Sequence, residues 1–246
     1  MNIKGIIFDI NGTLVDIRTE EGHEEIYRSI SHFLTYQGIH THRRELRDEY
    51  FSIMAEQRHA SAEAFPEFDT VALWREFLWR RPQACKALPK DKRDVLPLVL
   101  SEMYRGISRN RLQLYPEVEN ILNDLARRFR LAVLSDAQSA WAEPELRAVG
   151  IHGHFSPVIV SGDFGFRKPD PRLFQAALDG LGLRPDEVLF VGDDMYRDVY
   201  GAKQMGIKTI YFASRQGDKA VQGVEPDYII YQFAELPTAI AFLEAH

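Results

Sequence analysis

Apolar positions change their spacing along the chain, and the changes divide it. Ile6, Ile7 and Phe8 form an unbroken run that ends at Asp9 and an Asn11-Gly12 turn signal. That pattern predicts a buried strand over residues 4–9, delivering Asp9 at its C-terminal end. From Glu20 to Gln37 the apolar residues Ile26, Ile30, Phe33 and Leu34 recur at helical spacing, and further helices are predicted near 42–60, 70–80 and 92–107. Asp69 is placed to cap the third of these, with Pro66 and Pro82 punctuating either side. No convincing strand is predicted between Glu20 and about residue 107.

After Tyr115-Pro116 helix and strand alternate. Helices are predicted at 117–129, 143–149, 171–181, 197–205 and 236–243, and strands at 131–135, 157–161, 188–192, 209–212 and 228–230. Alternation with short loops predicts an α/β fold, a Rossmann-like parallel sheet flanked by helices on both faces. The helical stretch is then an insertion after the first strand. The expected division is a core domain of residues 1–16 and 111–246 and an all-helical cap of residues 17–110. Chemistry in such sheets collects at the C-terminal ends of the strands.

Charge supports the division. The formal net charge is -6, yet residues 17–110 hold 15 Lys and Arg against 15 Asp and Glu, so the remainder carries the whole deficit. An acidic chain argues against nucleic acid as a partner. Cys85 is the single cysteine and has no intrachain disulfide partner. With no apolar run near the ~20 residues of a membrane span and no signal-peptide pattern at the N-terminus, the expectation is a cytoplasmic protein.

Four segments fall at predicted strand ends: Asp9-Ile10-Asn11-Gly12-Thr13, Ser135-Asp136, Lys168-Pro169-Asp170, and Asp193-Asp194 with Asp198. An aspartate closing a buried strand before Asn-Gly-Thr offers an exposed carboxylate beside a turn with free backbone N–H groups. Such a nest grips phosphate oxygens while the carboxylate attacks phosphorus. Asp193, Asp194 and Asp198 crowd three carboxylates together, a repulsion that a hard cation with oxygen ligands relieves, Mg²⁺ above all.

In order and chemistry these segments resemble the four motifs of the haloacid dehalogenase superfamily, and the resemblance covers essentially the whole chain, cap included. It implies Asp9 as nucleophile, Thr13 and Ser135 as hydroxyl donors to the transferring group with Gly12 and Asp136 beside them, and Lys168 holding nucleophile and phosphate together. It implies Mg²⁺ on Asp9, the backbone carbonyl of Asn11 and Asp193, with Asp194 or Asp198 in support through water or as helix-terminal charges. The substrate implied is a small phosphomonoester. Phosphatases of this superfamily carry an acid/base aspartate where this chain has Asn11, and an amide cannot transfer a proton at neutral pH, so slow turnover is expected. Asp136 also departs from the pattern, since members often have Asn there. Two alternatives follow: a 2-haloacid dehalogenase, which lacks that aspartate and needs no metal, or a non-catalytic binder of phosphorylated ligands.

In the cap, Leu73, Trp74, Phe77 and Leu78 are expected to be core, Arg43, Arg44 and Arg47 a solvated face, and His23, His32, His40, His42 and His59 structural or surface residues.

Overall fold

A computed structural model describes residues 2–214, 216–217 and 220–245, and for Cys85 the backbone only. The chain runs β1 (Gly5–Phe8), β2 (Val15–Thr19), α1 (Glu24–Tyr36), α2 (Arg43–Ala60), α3 (Thr70–Trp79), α4 (Pro82–Lys86), α5 (Lys90–Ser108) and β3 (Arg109–Leu114). It continues α6 (Val118–Leu125), β4 (Arg130–Ser135), α7 (Ser139–Ala148), β5 (Val158–Val160), α8 (Pro171–Leu181), β6 (Val188–Gly192), α9 (Gly201–Gln204), β7 (Lys208–Phe212), β8 (Tyr228–Ile230) and α10 (Leu236–Ala245).

Six strands form one parallel sheet in the order β5-β4-β1-β6-β7-β8. Its central strands are apolar through their middles, without alternation, because both faces are buried. Ile6 and Phe8 of β1, Leu131 and Val133 of β4, and Leu189 and Val191 of β6 face α6, α7 and α10. Ile7, Ala132, Leu134, Val188 and Phe190 point the other way, against Leu173, Phe174 and Leu178 of α8. This is the Rossmann-like α/β sheet that the alternation predicts. After β1 the chain builds β4 and β5 on one side, then crosses to β6 on the other, so β1 lies at the topological switch point.

Helices α1, α2, α3 and α5 enclose a second core around Tyr27, Tyr50, Trp74, Phe77 and Tyr104, with Leu73 and Leu78 buried as expected. Tyr50 and Tyr104 stack at 4.4 Å between ring centroids. Asp69 caps α3 by accepting from the Val71 and Ala72 amides at 2.8 and 2.9 Å. His23 and His42 cap α1 and α2 through Nδ1, accepting from the Glu25 and Arg44 amides. Among the described residues, no helix is long and apolar enough to cross a membrane.

The structure departs from the sequence pattern at α4, which is not among the predicted helices, at α6, which ends at Leu125 and not 129, and in three further places. β2 and β3 pair antiparallel, Ile17 opposite Leu112, across the boundaries proposed for the helical insertion. Both segments are short and charged, and their partners lie far apart in sequence, so only the tertiary pairing makes them strands. α7 starts at Ser139, before the expected residue 143, because the Trp141 and Ala142 amides bond to Gln138 O and Trp141 is buried. Pro144 lies within this helix, where it supplies no N–H to the interior. Finally, the helix expected at 197–205 opens with a π-turn, Met195–Tyr200, in which the Val199 amide reaches back to Asp194 O.

A polar seam joins the helices to the sheet side. The Gln138 side chain accepts from the Thr70 amide at 3.0 Å and donates to Phe68 O at 2.7 Å. Glu145, buried, takes Arg105 at 2.7 and 3.1 Å and Arg109 at 3.1 Å. Trp141 Nε1 donates to Ser101 Oγ at 2.9 Å, and its ring packs among the helical-core aromatics. Two expected outcomes follow, both read from denaturant midpoints. Glu145→Ala leaves two arginines without their buried acid and lowers stability by about 3 kcal/mol. Asp69→Ala removes a helix cap and costs about 1 kcal/mol.

Candidate active site

The site lies where β1, β4 and β6 end. The Asp9 amide donates to Val191 O at 2.9 Å, extending β1 by one residue and fixing the level at which the Asp9 side chain emerges. Lys168 enters from the loop before α8 and is 3 % exposed. Its Nζ donates to Asp9 Oδ1 at 2.7 Å, Asp198 Oδ1 at 2.6 Å and Leu134 O at 3.3 Å. An ammonium has three donors, and each finds an acceptor here. Burial disfavours the Lys168 charge, but Asp198 and Asp9 outweigh it and raise the pKa, so Lys168 is cationic at neutral pH.

Asp193 follows β6 and is held by Ser214, whose Oγ donates to Oδ2 at 2.7 Å. The Thr13 hydroxyl lies 3.3 Å from Asp193 Oδ1 and 3.5 Å from Asp9 Oδ2, joining the two carboxylates. Two glycines permit this crowding. Gly12 has φ +85°, and a Cβ on it would lie 2.2 Å from Asp193 Oδ2; a Cβ on Gly192 would lie 2.4 Å from Asp198 Oδ2.

Asp9, Asp193 and Asp198 each bring a carboxylate oxygen within 4.8 Å of the others. Burial raises the pKa of Asp193 and of Asp198, and the charge on Asp9 adds to both. Two of the three carboxylates bond to the one buried ammonium, Asp193 does not, and the Asn11 Oδ1 beside them is buried with no hydrogen-bond partner. This donor set is all oxygen and acidic, so the triad could hold a divalent metal ion.

Asp9, Asn11, Ser135, Asp136, Lys168, Asp193 and Asp198 line one cavity of about 150 Å³, together with Arg197 and Gln216. Ser135 Oγ is buried there without a partner. The Asp136 Oδ1 accepts from the Lys168 amide at 2.9 Å. Asp194 has a different place. Its carboxylate caps the π-turn, accepting from the Tyr196 and Arg197 amides at 3.0 and 2.7 Å and from Arg197 Nε at 2.8 Å.

One expectation needs correction. Asp9 is buried, and the turn after it does not present free amides at Gly12 and Thr13. The Gly12 N–H donates to Val15 O at 2.9 Å and the Thr13 N–H to Ile10 O at 3.3 Å, because the turn closes on itself to start β2. Gly12 and Thr13 support the carboxylates and are not part of the cavity lining.

Sequence reasoning missed Arg197, Ser214 and Gln216. Ser214 stands two residues past the end of β7, a strand end like the others, and that position was the available signal. Gln216 reaches the cavity and also donates to Asp16 Oδ1 at 2.8 Å. It thereby forms part of the wall between the cavity and a groove of about 1220 Å³ lined by Asp16, Arg111, Tyr115 and Ser214.

The chain is 34% identical over 152 residues to a phosphoserine phosphatase of Thermus thermophilus, covering 59% of each chain. It is 31% identical over 117 residues to a glyceraldehyde 3-phosphate phosphatase of Pyrococcus furiosus, covering 47% of this chain and 48% of that one. The matches therefore span about half to three fifths of those relatives. Among solved structures, a 2-haloacid dehalogenase from Pseudomonas syringae superposes with a TM-score of 0.71 at 24% identity, covering 98% of this chain and 99% of that one. A HAD phosphatase from Thermococcus onnurineus gives 0.60 at 24% identity over 97% and 98%. These two likenesses establish the shared fold. The sequence model of the haloacid dehalogenase-like hydrolases matches residues 3–206, and the chain belongs to that family of hydrolases.

Proposed function

We propose that this chain is a Mg²⁺-dependent phosphatase of small phosphomonoesters that works through an aspartyl-phosphate on Asp9. The observation that carries the reading is Lys168, buried and bridging Asp9 to Asp198, with Asp193 completing an acidic oxygen cluster. A cluster so acidic suits a site that binds a cation together with a dianionic phosphate.

In this reading a phosphoryl group occupies the cavity. Asp9 attacks phosphorus, and Lys168 holds the nucleophile in place while stabilising charge on the phosphoryl oxygens. Ser135 Oγ, buried and unpartnered, is available to donate to one of those oxygens. Asp9, Asp193 and the backbone carbonyl of Asn11 would hold the metal, with Asp198 adjoining them. When bound, the metal supplies charge neutralisation on the phosphate. Asp194 acts one step back, fixing Arg197 and the start of the π-turn that carries Asp198. The helices of residues 17–110 form a cap over the site and choose the substrate. The phosphatase names of the two curated relatives support a small phosphorylated metabolite, and the lone cysteine suits a cytoplasmic setting.

Displacement of halide from a 2-haloacid is the second reading, favoured by Asn11. It is the weaker one, because Asp193, Asp136 and Asp198 line the same cavity and a departing halide would meet carboxylates.

Two outcomes are expected. Asp9→Asn reduces hydrolysis of O-phosphoserine and p-nitrophenyl phosphate to background in a steady-state phosphate-release assay. Saturating Mg²⁺ raises the melting temperature by mass action, with about 2.7 kcal/mol at a hundredfold excess over Kd, and Asp193→Asn weakens the effect. A melting temperature indifferent to millimolar Mg²⁺, with no heat of binding by calorimetry, would remove the metal from this account.

A further inference from the structure

Resting on the phosphatase reading, we propose that Asp136 is the proton carrier of this site, acting as acid toward the leaving oxygen and then as base toward water. Breaking an ester bond to phosphorus leaves an alkoxide that must be protonated, and water attacking the phosphoenzyme must lose a proton. Asn11 lines the cavity, but its amide can do neither.

Four carboxylates line that cavity, and three are committed. Asp9 is the nucleophile. Asp198 accepts from Lys168 Nζ at 2.6 Å through one oxygen and from the Asp194 amide at 3.0 Å through the other. Asp193 accepts from Ser214 and Thr13. Asp136 is the remaining one: Oδ1 is pinned by the Lys168 amide, and Oδ2 is buried with no hydrogen bond. A single fixed oxygen orients the carboxyl group, and the other is left to exchange a proton with a ligand.

The surroundings suit the role. Burial raises the Asp136 pKa, against the opposing pull of Lys168 and Arg197, so the neutral acid comes within reach. Arg197 Nη1 stands 3.7 Å from Oδ2, too far for a hydrogen bond yet close enough to stabilise the carboxylate once its proton has gone. Arg197 is itself held by Asp194 at 2.8 Å, which gives Asp194 a task within the same chain of contacts.

The steps balance. As an Asp9 oxygen bonds to phosphorus, the bond from phosphorus to the ester oxygen breaks, and that oxygen takes the Asp136 proton and leaves as alcohol. Water then attacks the phosphoenzyme and gives a proton to the Asp136 carboxylate, while the bond between phosphorus and Asp9 breaks. Phosphate leaves, and both side chains return to their starting states.

The test uses the full chain with Mg²⁺ and four forms: natural, Asp136→Asn, Asn11→Asp and the double variant. Asp136→Asn keeps the acceptor for the Lys168 amide, and its folding is checked by thermal melting. Its kcat on O-phosphoserine should fall by about 10² to 10⁴. On p-nitrophenyl phosphate it should release a rapid burst of about one p-nitrophenolate per chain and then turn over slowly, because that leaving group departs without a proton while phosphoenzyme hydrolysis still needs a base. The double variant should recover O-phosphoserine turnover at least about tenfold, since the new carboxylate enters the same cavity. Turnover of Asp136→Asn within about threefold of the natural chain on both substrates would overturn the proposal. So would an equal loss on both substrates with no burst and no recovery in the double variant, which marks Asp136 as a prop for Lys168. Background rates for the natural chain, identical to Asp9→Asn, would instead remove the phosphatase reading and this proposal with it.

Discussion

A buried ammonium between two buried carboxylates organises this molecule's site. Removing an ion from water costs about several kcal/mol, even after relaxation, unless the geometry of its partners is good. Lys168 meets that condition because Asp9, Asp198 and the Leu134 carbonyl take all three of its donors. The same contacts tie together the ends of β1 and β4, the loop before α8 and the π-turn after β6. A change in any of these would leave charge unpaired inside the protein.

Further consequences follow from the acid excess. Asp193 joins Asp9 and Asp198 at a separation only glycine allows, with Gly12 and Gly192 giving way to the carboxylates. Ser214 and Thr13 hold Asp193, yet burial still favours its neutral form. The cluster is therefore poised for a cation more than for its own stability. Asp136 and Arg197 make a second polar pair along the same cavity, at 3.7 Å, anchored by Asp194. Across the seam, Gln138 and Glu145 bind the helical layer to the sheet side, and Trp141 reaches from α7 into the helical core. The two hydrophobic regions thus meet at α7, which sends Trp141 to one and Ala142 and Leu146 to the other, although each has its own centre.

Much of this was legible in the order of residues. Ile6-Ile7-Phe8 and Val188-Leu189-Phe190-Val191 are apolar without alternation because both faces of those strands are covered, and residues with chemistry follow each run. Strand period, turn residues and caps are local properties, so Asp9, Ser135, Asp193, the helical core around Trp74 and the Asp69 cap could all be read in advance. The β2–β3 ribbon went unread: Val15 and Ile17 alternate with Asp16 and Arg18 at strand period, but the run is short and its partner, Arg109–Leu114, lies beyond all the intervening helices. The amides after Asp9 also looked free. Whether a turn closes on its own carbonyls depends on where the next segment goes, and here it returns to Val15.

The sequence by itself determined the strand-and-helix alternation, the aspartate at the end of the first strand, and the acidic residues after β6, because each is set by hydrophobic period and local turn chemistry. Only the tertiary structure decided which acids meet. Asp194 and Asp198 are equivalent on paper, but the π-turn sends Asp198 to Lys168 and leaves Asp194 to cap it and hold Arg197. Ser214 and Gln216 come from the loop after β7, and they reach the site because β7 lies beside β6. The unbonded oxygen of Asp136 belongs to this second class as well. Its freedom results from the positions of Lys168 and Arg197, distant in sequence, and distance in space is what sets electrostatics and proton exchange.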